Sequence, residues 1–133
     1  MNKNTVLVVE DDAALSSMLK FMLQRNGFDT MLAQDTAEAD KCLEQKLPDV
    51  ILLDWMLPGM DGMEVLENLL TTPATQNIPV YMMTVRGKMR DVEIALGAGA
   101  LDYVTKPIDV QELSRKVSRA FTLSDSSANS SNT

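Results

Sequence analysis

Five short apolar runs separated by amphipathic stretches constrain this chain more than any other feature of it. The runs are "TVLVV" (5 to 9), "FDTMLA" (28 to 33), "DVILL" (49 to 53), "PVYMM" (79 to 83) and "ALDYV" (100 to 104). Most are apolar nearly throughout, the pattern of strands covered by helices on both faces. Between the first two, Leu15, Met18, Leu19 and Met22 repeat with helical spacing, from an Asp12 cap to Gly27, whose missing Cβ suits a helix end. Further helices are predicted over about 36–46, 61–71, 88–98 and 109–122, the last with a stripe of Val110, Leu113, Val117, Ala120 and Phe121. Strict alternation of strand and helix predicts βαβ units and a parallel sheet, an α/β fold.

A chain of 133 residues fits one domain and buries enough surface to fold without staples. The single cysteine, Cys42, excludes a disulfide framework, favours a reducing compartment and reads as a small core residue. The N-terminal apolar run is too short for a signal peptide, and no segment approaches the roughly 20 apolar residues of a membrane span. The expectation is a cytoplasmic protein with no membrane partner. With 19 acidic against 12 basic residues, net charge -7, it lacks the electrostatic footprint for direct nucleic-acid binding. Met18, Met22, Met82 and Met83 fall at core-facing spacing and read as flexible core filler. After Leu123 the sequence "SDSSANSSNT" is polar and without periodicity. The predicted division is a folded domain over 1–123 and a disordered tail or linker start over 124–133.

In an open parallel sheet, ligands bind beyond the carboxyl ends of the strands. The residues at the carboxyl end of each run place Glu10 and Asp11, Asp54, Thr84 and Lys106 on one edge. Carboxylates this close raise one another's pKa unless a cation is present. Oxygen ligands without histidine or clustered thiols select a hard cation, with Mg²⁺ the natural candidate. A lysine and a hydroxyl facing the same metal suit an incoming phosphoryl group, with one carboxylate as nucleophile. The chain contains no histidine, so any phosphohistidine in its chemistry belongs to a partner. Asp12 reads as a helix cap, and Asp61 as a turn or cap residue, rather than as ligands.

The fragments "LVVEDD", "VILLDWMLPGMDG", "VYMMT" and "DYVTKP", in this order and at these intervals, resemble the receiver domain of two-component response regulators over residues 5 to about 122. "LDWMLPG" with "TVRG" is most similar to the winged-helix transcription-factor branch. The resemblance implies a flavodoxin-like (βα)5 three-layer sandwich with a five-stranded parallel sheet in the order 2-1-3-4-5. It further implies that Asp54 is the phosphoacceptor, and that Asp11, Asp54 and the Met56 carbonyl bind Mg²⁺ directly, with Glu10 acting through a water. Lys106 would pair with the phosphoryl group, Thr84 would bond it and move with it, and Tyr103 would be the aromatic switch. The Lys106–Pro107 bond would be cis. The implied partner is a sensor histidine kinase or a histidine phosphotransfer protein, and the implied output surface is the face of the fourth helix, fifth strand and fifth helix, through which such domains form homodimers.

Three departures qualify the resemblance. Val85 is larger than the residue receivers usually carry after the switch threonine, which predicts a narrower phosphoryl site and slower transfer or hydrolysis. Val92 and Leu101 replace charged residues that pair across the dimer of the winged-helix branch, while Glu112 and Lys116 are retained, so an apolar contact is expected there. Two alternatives stand beside a receiver that controls transcription. One is a single-domain regulator acting on a protein partner, as in chemotaxis or a phosphorelay. The other is an aspartyl-phosphate hydrolase of the haloacid dehalogenase type, which needs a second aspartate where this chain has Met56. On the first reading the chain is no enzyme and takes part only in its own phosphorylation and dephosphorylation.

Overall fold

The computed structural model describes residues 4–57, 59–85 and 89–131, with residue 60 and residues 122–131 described by their backbone alone. Five strands, β1 (Thr5–Val9), β2 (Asp29–Ala33), β3 (Val50–Asp54), β6 (Val80–Val85) and β7 (Asp102–Lys106), form one sheet in the order β2-β1-β3-β6-β7. Two further strands, β4 (Met56–Leu57) and β5 (Met60–Asp61), make a small antiparallel hairpin after β3. Counting the five long strands alone, the order is 2-1-3-4-5, every pair is parallel, and the fold is the flavodoxin-like one.

Alternation along the strands divides the core in two. Val6 and Val8, Val50 and Leu52, Tyr81 and Met83, and Val104 pack against α1 (Ala13–Arg25) and α5 (Val110–Ser131). Leu7 and Val9, Ile51 and Leu53, and Val80 and Met82 face the opposite layer of α2 (Thr36–Gln45), α3 (Gly62–Thr71) and α4 (Met89–Ala98). Because both faces of the central strands β1, β3 and β6 are covered, these are apolar without alternation and conspicuous as runs, whereas the edge strands β2 and β7 are only partly buried and carry Asp29, Asp102 and Lys106. Each fully buried Leu or Val side chain contributes about 1.5–3 kcal/mol. A stacked Phe28–Phe121 pair, centroids 5.1 Å apart, ties the start of β2 to α5.

Helix starts follow local chemistry. Asp12 accepts from the amides of Ala14 and Leu15, Asp35 from Glu38, Asp61 from Met63, and Asp109 from Gln111 and Glu112, each satisfying donors that have no intrahelical partner. Asp12 is therefore a cap, as expected, and of the two readings of Asp61, turn or cap, the structure shows the cap. Gly27 adopts φ 90° after α1, where a Cβ would be strained.

Several expectations need correction. Met18 is 40% exposed and Val110 42%, so neither is core; they lie on the flanks of stripes whose centres, Leu19, Met22, Leu113 and Val117, are buried. Helical spacing identifies a face, not how far the neighbouring layer extends over it. Val92 is buried and so offers no surface contact, whereas Leu101 is exposed. The last strand begins two residues later than the apolar run, because pairing with β6 starts at Tyr81 opposite Asp102. The backbone of α5 continues to Ser131, through the serine-rich segment in which composition predicts no element; extending an existing helix costs far less than starting one. Among the described residues, no helix is long and apolar enough to cross a membrane.

Candidate functional site

Three strand ends supply the acids and the cation of the site. Glu10 lies directly after β1, its N–H donating to the Ala33 carbonyl at 2.9 Å, and Asp11 comes next in the chain. Asp54 is the last residue of β3. One carboxylate oxygen from each of Glu10, Asp11 and Asp54 lies within 4.8 Å of the others. Glu10 and Asp54 are buried while Asp11 is exposed, so the group opens on one side.

Lys106, ending β7, reaches into this group. Its Nζ donates to both Glu10 carboxylate oxygens at 3.0 Å and stands 3.2 Å from Asp54 Oδ1. The Met56 N–H donates to the same Asp54 oxygen at 3.1 Å. Thr84 borders the same cleft of about 320 Å³, and its buried hydroxyl has no hydrogen-bond partner among the described residues. Gly62 explains how the loop after Asp54 folds back: its N–H donates to the Trp55 carbonyl at 3.0 Å, and a Cβ would fall 2.5 Å from that oxygen.

The charges do not balance. Burial, with Asp54 beside it, raises Glu10 from its ordinary value to about 7, against the opposing pull of Lys106. Burial works to lower the Lys106 pKa, but its hydrogen bond to Glu10 and the nearby Asp54 carboxylate outweigh this and raise it. Lys106 is thus a fixed cation, one against three carboxylates. An all-oxygen donor set with surplus negative charge and an open side fits a hard divalent cation.

The structure brings together Glu10, Asp11, Asp54, Thr84 and Lys106, with Asp12, Met56 and Val85 also bordering the cleft. The Asp12 carboxylate is engaged in capping α1. Met56 contributes its main chain to the cleft, while the residue itself is 68% exposed. Tyr103, half-buried on β7, lies outside the cleft but on the same sheet face as Thr84, since Met82 pairs with Tyr103 and Thr84 with Thr105. The Lys106–Pro107 bond is cis. Pro58 and residues 86–88, parts of the "LPG" and "TVRG" fragments and of the predicted start of the fourth helix, lie outside the described residues. Sequence reading missed Asp91, which borders the cleft from the first turn of α4; an acid in the first turn of the helix that follows the strand-end threonine was the available signal.

The family model described as the response regulator receiver domain matches residues 6–118. The phosphate regulon transcriptional regulatory protein PhoB of Escherichia coli is 43% identical over 112 residues, covering 84% of this chain and 49% of that protein. The DNA-binding response regulator MtrA of Mycolicibacterium paratuberculosis is 39% identical over 115 residues, covering 86% and 50%. The chain thus spans about half the length of these curated relatives. Among solved structures, a response regulator from Chloroflexus aurantiacus superimposes with a TM-score of 0.85 at 31% identity, covering 91% of this chain and 99% of that one. The receiver domain of the Francisella response regulator 1452 gives 0.83 at 32%, covering 92% and 99%.

Proposed function

This chain belongs to the response regulator receiver domain family, and on that premise we propose that it accepts a phosphoryl group on Asp54 from a phosphohistidine carried by a sensor histidine kinase or histidine phosphotransfer protein. The observation that supports this best is the convergence of a buried Asp54 with Glu10, Asp11 and the Lys106 ammonium on one sheet edge. An Asp54 carboxylate oxygen attacks phosphorus, a P–O bond forms as the P–N bond breaks, and the imidazole leaves with that electron pair and takes up a proton.

Asp11, Asp54 and the Met56 carbonyl would hold Mg²⁺, with Glu10 acting through a water. The ion, when bound, offsets charge on the phosphoryl oxygens. Lys106 gives up part of its contact with Asp54 to meet the incoming oxygens, and the Met56 N–H orients the attacking carboxylate. Thr84 supplies the donor for one phosphoryl oxygen, and its unpartnered hydroxyl gains a bond by moving toward it. Tyr103 moves in turn as the switch residue, altering the face of α4, β7 and α5, through which a homodimer would form.

Because the relatives named above are a transcriptional regulator and a DNA-binding regulator, the proposed output is transcription, by an effector to which residues 1–123 serve as the receiver and 124–133 as tail or linker start. The proposed compartment is the cytoplasm. Incubation with acetyl phosphate and Mg²⁺ and then intact mass measurement tests the reading. Wild type gains one phosphoryl group and Asp54→Asn gains none; an unlabelled wild type, or equal labelling of both, refutes it.

A further inference from the structure

Lys116, on α5, gathers polar contacts from its own helix and from the edge strand β7, away from the acidic cleft. Its ammonium donates to the Tyr103 carbonyl, stands 3.2 Å from Glu112 Oε1 and 3.5 Å from Asp102 Oδ1, and lies 4.5 Å from the centre of the Tyr103 ring. Its main-chain carbonyl accepts from the Tyr81 hydroxyl of β6. Asp102 Oδ1 also accepts the Tyr103 N–H at 2.8 Å. One cation of α5 therefore reaches the edge strand β7 and touches both the backbone and the ring of Tyr103. It is only 21% exposed, so water competes weakly for it.

These contacts differ in what they permit. The two carboxylates and the Tyr103 carbonyl tether the ammonium to α5 and β7 whatever the ring does. The ring, half-buried against the layer that holds Met82 and Ala100, is not tied to the ammonium by any of these bonds. A rotation of Tyr103 that carries the ring away from the ammonium forfeits the cation on its face.

Resting on the reading of Asp54 as phosphoacceptor with Thr84 and Tyr103 as its switch, we propose that Lys116 is a positioning residue that latches the Tyr103 ring at the sheet edge and so limits the population of the phosphorylation-competent state. The pairing is within one chain: Lys116, Glu112 and Asp102 already satisfy one another without a second copy. Val92 and Leu101, which stand in place of charged partners, leave the cation to this internal role.

The test compares the rate of labelling by acetyl phosphate and Mg²⁺ in wild type, Lys116→Met, Lys116→Arg, Tyr103→Leu and the double variant Lys116→Met/Tyr103→Leu. Lys116→Met keeps the aliphatic stem but removes the cation, and labels about fivefold faster, since the competent fraction rises by the lost cation–ring attraction. Lys116→Arg restores the wild-type rate, because the guanidinium serves both ring and carboxylates. In the Tyr103→Leu background Lys116→Met changes nothing. Tyrosine ring resonances of unphosphorylated Lys116→Met move towards those of phosphorylated wild type. An unchanged rate in Lys116→Met while wild type labels normally, or the same acceleration without Tyr103, overturns the latch. If wild type takes no label, the phosphoacceptor reading fails, and the latch is then judged by the ring alone: unmoved Tyr103 resonances in Lys116→Met overturn it.

Discussion

Glu10 is 1% exposed yet carries a carboxyl group, and its titration near pH 7 rather than at its usual 4.5 makes it the proton-linked member of the cleft. Between those two values the folded chain keeps a proton that the unfolded chain releases. Stability from this group is therefore greatest below the unfolded value and falls as pH rises through about 7. A divalent cation needs the ionised form, so its affinity runs the other way. Mg²⁺ titration monitored through Trp55, the single tryptophan and the residue after Asp54, should show binding about tenfold weaker at pH 6 than at pH 8. Glu10→Gln should abolish most of that difference. Equal affinities at the two pH values would mean that Glu10 is not coupled to the metal.

At the scale of elements, the turn from β3 into α3 depends on one missing Cβ. The nearest atom to a Cβ on Gly62 is a backbone oxygen, which cannot rotate away, so Gly62→Ala forces Trp55 and its neighbour Asp54 to shift. The expected loss is about 1–3 kcal/mol in urea unfolding, together with weaker Mg²⁺ binding. Gly97, within α4, has nothing within 4 Å of its would-be Cβ, so Gly97→Ala should instead gain up to about 1 kcal/mol and leave binding unchanged. Equal effects of the two alanines would remove the close-approach argument.

The central strands were legible because burial on both faces leaves an unbroken apolar run, and the helix starts because Asp12 and Asp61 are side chains whose capping chemistry is local. The hairpin of β4 and β5 was not legible, since two-residue strands carry no periodicity. Neither was the two-residue shift of β7, whose start is set by the strand it pairs with rather than by its own residues. The acids, threonine and lysine of the cleft could be read as strand ends converging on one edge. The Lys116 contacts could not, although the Glu112–Lys116 spacing of four was visible: a cation reaching from a helix to an edge strand depends on a crossing that no single segment encodes.

For the molecule as a whole, the order β2-β1-β3-β6-β7 places β1, β3 and β6 centrally and lets Lys106 at one end of the chain bond Glu10 at the other, 96 residues apart. The site does not exist in any fragment, and its chemistry is a property of the assembled sheet. The face of α4, β7 and α5 is tied to Thr84 through the β6–β7 pairing and carries Tyr103. The most direct test of this account locates the phosphoryl group itself. Borohydride reduces an aspartyl phosphate to homoserine, so chain treated with acetyl phosphate and Mg²⁺, reduced and mapped by peptide mass spectrometry, should carry homoserine at position 54 and nowhere else. Homoserine at position 11, a stable phosphate on a serine or threonine, or no modification at all would contradict it.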